Sequence, residues 1–336
     1  MRKENRNRHL TLNVNIELRV TSVESTTLTA SFSDTLSKAT ERFLQRVACS
    51  RSTSTMNNYQ TAIRSFSDYL GADILLADIS SDTLCGFERW LRQRGVGQNT
   101  SSCYMRSLRA VLTGCDKRLK TLFGQVFTGK VRTVKRSTSV EAIAQLRSLA
   151  LQPHSFLNLA RDIFLFSFYA MGMPFVDVAH LRWSQVGNDA IVYHRQKTGQ
   201  RIAVALEPVM RQFIDHYRQR SINGGRCADA FVFPLLATGT DHEYQIALGR
   251  YNRALRRLRE MAQIEAKLTS YVPRHTWASI AYHSNIELAV ISKALGHTNP
   301  QTTLTYIREI DDIRLAEANQ RIIGLLDNES GKGQKQ

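Results

Sequence analysis

Arg274, His297 and Tyr306 fall in the run YVPRHTWAS…ISKALGHTNPQTTLTYI, where an Arg-His pair opens one segment, Leu-Gly-His closes the next, and a tyrosine follows nine residues on. A guanidinium fork binds phosphate oxygens bidentately. An imidazole exchanges a proton near neutral pH, and a phenol becomes a nucleophile once its proton leaves. Together the three can serve a pentavalent phosphate with no metal ion, so the chemistry they point to is that of a phosphodiester. Any one of the eleven tyrosines taken alone is a packing residue. The fixed distance of Tyr306 from Leu295-Gly296-His297 is what sets it apart.

The local sequence also says how these side chains must be held. Pro273 places Arg274 at a helix start, where the guanidinium and the helix N-terminus converge on one anion; the same arginine could also serve in a surface salt bridge. Gly296 is the expected left-handed residue that ends the preceding helix, and a histidine after it also suits the electrostatics of a helix C-terminus. Asn299 as N-cap and Pro300 at the first position begin the helix that carries Tyr306.

Further back, residues 189–206 (DAIVYHRQKTGQRIAVAL) read as two short strands joined at Lys197-Thr198-Gly199. Residues 155–171 form a strongly apolar helix ending at Gly172, and His242 to Met261 a helix with Arg250, Arg253 and Arg257 on one face. From Ser33 to Arg118 the periodicity is helical. Leu36, Ala39, Phe43 and Val47 make one stripe, and Tyr59, Ile63, Phe66 and Leu70 a second. A third helix, capped at Ser81, holds Leu84, Phe87, Trp90 and Leu91, and a fourth starts at Asn99-Thr100-Ser101, giving a bundle of about four helices. Residues 9–23 alternate like a strand or extended arm. The expected organisation is an N-terminal arm (1–32), a helical domain (33–118), a basic connector (119–138), a catalytic domain (139–327) and a tail (328–336).

The formal charge of +16 on 336 residues with an ordinary apolar fraction is a surface property of a folded protein, and it points to a polyanion. Double-stranded DNA is the first candidate. The connector residues Lys130, Arg132, Lys135 and Arg136 and the arginines 250, 253 and 257 are candidate phosphate contacts, although both groups would also suit a solvated surface. A membrane is the weaker candidate, since the most apolar stretch, Ile163 to Met171, is far shorter than the roughly 20 residues a span requires. The polar N-terminus lacks a signal-peptide apolar region, so a cytoplasmic protein is expected. Five scattered cysteines without Cys-x-x-Cys spacing support neither a disulfide framework nor zinc. No cofactor is expected.

The order Arg274-His275-Thr276, Leu295-Gly296-His297, Tyr306 resembles the signature of the tyrosine recombinases, the phage-integrase family. The resemblance implies a mainly α protein: an N-terminal SAM-like helical bundle and an α+β catalytic domain with a small β-hairpin. It implies Tyr306 as nucleophile, Arg274 as the fork on the non-bridging oxygens and His297 as a hydrogen bond to the scissile phosphate. Lys197 at the hairpin tip becomes the general acid on the leaving 5′ oxygen. It further implies site-specific cleavage and rejoining of DNA, paired protomers up to a tetramer, and room for an accessory DNA-bending or directionality protein.

Two positions depart from the pattern. The histidine expected three residues before Arg274 is Tyr271, whose hydroxyl can make one of the imidazole's hydrogen bonds but is a poor base near neutral pH. The first arginine of the family falls at Pro174, in Gly172-Met173-Pro174 with Asp177 following. Loss of a phosphate fork costs several kcal/mol of transition-state stabilisation unless another cation replaces it. Arg161, Arg182 and Arg195 are the candidates, in no order the sequence settles. The Gly-Met-x-Phe-x-Asp turn is similar to the branch of the family found in Bacteroidetes mobile elements and invertible loci. Three other readings stand beside this one: a DNA-binding accessory protein of the same fold that has lost cleavage, a type IB topoisomerase, and a helical scaffold.

Overall fold

The computed structural model describes residues 33–131, 137–218, 229–297, 299, 301–304 and 319–320. The chain divides into two compact units, Met1–Arg132 and Thr133–Gln336. The arm expected over 9–23 lies outside the described residues.

The first unit is the expected bundle: α1 (Leu36–Val47), α2 (Thr53–Leu70), α3 (Ser81–Gln93) and α4 (Gln98–Cys115). Hydroxyl caps set three of the starts. Thr35 accepts from the Lys38 N–H, Ser52 from Thr55, and Ser80 from Thr83 in a reciprocal capping box, one residue ahead of the cap expected at Ser81. The apolar stripes meet in a core of Leu36, Phe43, Phe66, Leu84, Phe87, Leu91, Met105, Leu108 and Leu112.

Helix α4 passes so close to α1 that a Cβ on Gly114 would lie 2.1 Å from the Phe43 ring. Alanine in a helix ordinarily gains about 1 kcal/mol over glycine. Here overpacking, typically about 1–3 kcal/mol, acts against that gain. Gly114→Ala is therefore expected to lower the urea midpoint of the full chain at unchanged m-value, against the sign of helix propensity.

The connector begins later than the charge pattern suggests. Lys117–Gln125 is a 3-10 segment that buries Leu119 and Phe123 in the bundle core, and Val126 follows them inward. Beyond it, Asn99 exchanges two 2.8 Å hydrogen bonds with Val131, while Ser102 and Arg106 bond the Gly129 carbonyl. The basic residues dominated the sequence pattern, but the apolar side chains between them anchor the strip.

The second unit is built on α6 (Phe156–Tyr169), almost wholly buried, against which α5 (Val140–Ser148), α7 (Phe175–Ala179), α8 (Pro208–Arg218), α9 (Asp241–Met261) and α10 (Val272–His283) pack. α11 (Leu288–Ala294) and α12 (Gln301–Leu304) follow. Strands β1 (Ala190–His194) and β2 (Arg201–Ala205) form an antiparallel hairpin with Val192 opposite Ala203. Their alternation turns Ile191, Tyr193, Ile202 and Val204 inward, as the sequence pattern requires. No helix among the described residues is long and apolar enough to cross a membrane.

Candidate active site

Three turns that are distant in sequence meet around Arg274. The first follows α6, where Met171 and Gly172 both adopt left-handed backbone, with φ of 55° and 71°. A Cβ on Gly172 would sit 2.8 Å from the Arg274 Cα, so only glycine permits α10 to approach this closely. The approach brings the Gly172 carbonyl to 3.0 Å from Arg274 Nη1.

The second is the Leu295-Gly296-His297 turn closing α11, with Gly296 at φ 63° as expected. Arg274 Nη2 donates to the Leu295 carbonyl and, at 3.0 Å, to His297 Nε2. Arg274 is only 2% exposed. Its guanidinium is therefore oriented by protein acceptors, as a preorganised anion fork must be.

The third is the hairpin. Arg195, just beyond β1, is 6% exposed and donates from Nη1 to the carbonyls of Leu295 at 3.1 Å and Gly296 at 2.8 Å. A Cβ on Gly296 would meet Arg195 Cδ at 2.8 Å, so this glycine is needed for the approach as well as for its φ. Asp177, buried in α7, accepts the Gln196 N–H at 2.9 Å and faces Arg195 Nε at 3.8 Å. Burial raises the Asp177 pKa, against the Gln196 hydrogen bond and the charges of Arg195, Arg274 and His180. The carboxylate thus ties α7 to the start of the turn carrying Lys197. Lys197 itself is exposed, and its charge reaches His297.

The tautomer of His297 follows from its partners. A guanidinium has no lone pair, so Nε2 must accept from Arg274, and Nδ1 carries the proton and donates to Thr303 Oγ1 at 2.9 Å. Thr303 is fully buried at the helix expected to lead to Tyr306. The sequence reading missed it, because an uncharged threonine six residues past the histidine carries no chemical signal of its own. Burial, then the charges of Arg274, Arg195 and Lys197, hold the His297 pKa down to about 4.

That depression has a sign. The unfolded imidazole titrates near 6.5, so between that value and 4 the unfolded chain binds more protons. The stability from neutral His297 is complete above about pH 6.5 and is lost as pH falls toward 4. Melting temperatures of the full chain should fall across this window, and His297→Gln should flatten the fall.

The remaining predicted residues are placed as follows. Tyr306 lies outside the described residues, as do Arg132, Lys135 and Arg136. Tyr271 is 42% exposed just before α10, its ring 5.7 Å from that of His275. Pro174 caps α7 and supplies no cation. Arg161 spends its guanidinium on the Leu149 carbonyl, Asn158 and Asp162. Arg182 is spent on the Asp229 carbonyl and on the Phe231 ring. Arg250, Arg253 and Arg257 are exposed on α9, and Lys130 is exposed in the first unit. None of these four forms an ion pair among the described residues. Arg250 lies 3.8 Å over the Phe156 ring.

A helical first unit, followed by a helical unit in which a hairpin and a Leu-Gly-His turn enclose a buried arginine, is the integrase fold. A lambda integrase fragment, solved as a dimer on a COC′ core site, superposes with a TM-score of 0.64 at 17% identity, over 83% of this chain and 99% of that one. The lambda integrase tetramer on a Holliday junction gives 0.64 at 18% identity, over 84% and 81%. The Tn1549 transposon integrase with circular intermediate DNA gives 0.63 at 12% identity, over 86% and 100%.

The chain belongs to the phage integrase family, whose model matches residues 125–312, and the phage integrase SAM-like domain matches residues 31–115. It is thereby a tyrosine recombinase by class, and site-specific DNA recombination is the general activity of that class. Among curated protein sequences, none matches it.

Proposed function

We propose that the chain cleaves and rejoins double-stranded DNA at specific sites through a 3′-phosphotyrosyl intermediate. The observation that carries this reading is the junction of Arg274, His297 and the Lys197 hairpin at one point, with the histidine held by Thr303, three residues before Tyr306 in the sequence. The Tyr306 phenolate attacks the scissile phosphorus, the P–O5′ bond breaks, and Lys197 gives a proton to the leaving 5′ oxygen. Attack by a 5′ hydroxyl reverses the step and releases the tyrosine, so the bond energy is conserved without a nucleotide cofactor. Arg274 exchanges its His297 contact for a phosphate oxygen, and the freed Nε2 of His297 takes the Tyr306 phenol proton and, as imidazolium, donates it in a hydrogen bond to the same phosphate. Tyr271 supplies one further hydrogen bond where an imidazole would otherwise stand.

The SAM-like unit and the catalytic unit both bind the duplex, with Lys130, Arg132, Lys135, Arg136 and the α9 arginines on its phosphates. Strand exchange joins protomers on paired sites. The displaced first arginine and the Gly172-Met173-Pro174-Phe175-Val176-Asp177 turn favour the Bacteroidetes-type branch of integrases and invertases.

The test is a nicked suicide duplex, drawn from the DNA flanking the gene that encodes the protein and incubated with the full chain. A denaturation-resistant protein–DNA adduct is expected. Specific binding with no adduct would make the chain an accessory DNA-binding protein. Relaxation of any supercoiled plasmid, whatever its sequence, would make it a topoisomerase.

A further inference from the structure

We propose that Arg195 is the second phosphate-binding guanidinium of this site, set opposite Arg274 and oriented by Asp177; the inference rests on the phosphodiester reading above. A phosphorane-like transition state carries negative charge on two non-bridging oxygens, and one fork serves one of them. Arg195 and Arg274 come from different elements, yet both donate to the Leu295 carbonyl, so their guanidinium groups are neighbours. Two buried like charges are costly to bring together unless an anion joins them. Asp177 is the carboxylate beside Arg195, and it lies 3.8 Å from Nε. Among the described residues the Arg195 side-chain hydrogen bonds run from Nη1, to Leu295 and Gly296, which leaves Nη2 to an incoming oxygen.

The competing cations are excluded by their own bonds. The Arg161 donors end on Leu149, Asn158 and Asp162 inside the α6 network, and Arg182 ends on Asp229 and Phe231. Arg195 alone of the three touches the turn that carries His297. Its neighbour Gln196 is pinned to the same carboxylate, so Asp177 acts as a positioning residue that sets the guanidinium and the Lys197 turn together.

The experiment uses the full chain labelled with 15N-arginine and titrated with inorganic phosphate, following side-chain Nη and Nε resonances assigned through Arg195→Lys and Arg274→Lys. Arg195 and Arg274 signals are expected to move together with a single dissociation constant. Arg195→Gln should weaken phosphate binding by about 10- to 100-fold, the worth of a charge-assisted hydrogen bond. If the Arg274 signals shift while those of Arg195 stay still, Arg195 is only a prop for Leu295 and Gly296, and the proposal is overturned. If neither arginine responds, or phosphate does not bind saturably, the phosphodiester reading itself fails. The wild-type resonances are the primary readout, so the outcome does not depend on Arg195→Gln folding.

Discussion

Tyr306→Phe is expected to form no denaturation-resistant adduct with a nicked suicide duplex, a loss on the order of 10⁴-fold or more, as for removal of other enzymic nucleophiles. The substitution removes one oxygen and keeps the ring, so melting temperature and duplex affinity should stay at wild-type values. Gel shifts and adduct assays on the same preparations separate the two effects. An undiminished adduct in the Phe variant would mean that another residue attacks phosphorus. The mechanism proposed here would then be wrong even though the fold assignment stands.

The second large effect is expected at Arg274. Arg274→Lys keeps the charge but replaces a planar fork with a point donor that cannot reach Gly172, Leu295 and His297 at once. Strand cleavage should fall by about 10²- to 10³-fold, the usual cost of one preorganised transition-state donor. DNA affinity and its salt dependence should barely change, because one phosphate contact among many is altered. The carbonyls of Gly172 and Leu295 lose buried donors, so stability should drop by about 1–3 kcal/mol in denaturant melts. A variant that cleaves normally at reduced stability would make Arg274 a structural tie between α10 and its neighbours.

Both predictions concern residues recognisable from type and spacing, whereas the surroundings that give them force were legible only in part. The stripes of α1 and α2, the apolar run of α6 and the alternation of β1 and β2 follow from period alone, and the elements form where those periods place them. Gly172 and Gly296 are readable as turn residues. That each also clears a path for an arginine from another element, Arg274 over Gly172 and Arg195 over Gly296, is not, because the colliding partner lies about a hundred residues away. The connector shows the same division: charge assigned residues 119–138 to a basic connector, and packing buried Leu119 and Phe123 in the bundle core.

By itself the sequence determined which residues are candidates for the chemistry and which segments are helix or hairpin, because residue type and periodicity are local properties. The tertiary structure alone decided which of three arginines stands beside Arg274, that Thr303 fixes the proton on His297, and that Asp177 steadies the hairpin turn. Those outcomes depend on close approaches between turns far apart along the chain, and such distances are set by how the helices pack rather than by the residues at either end.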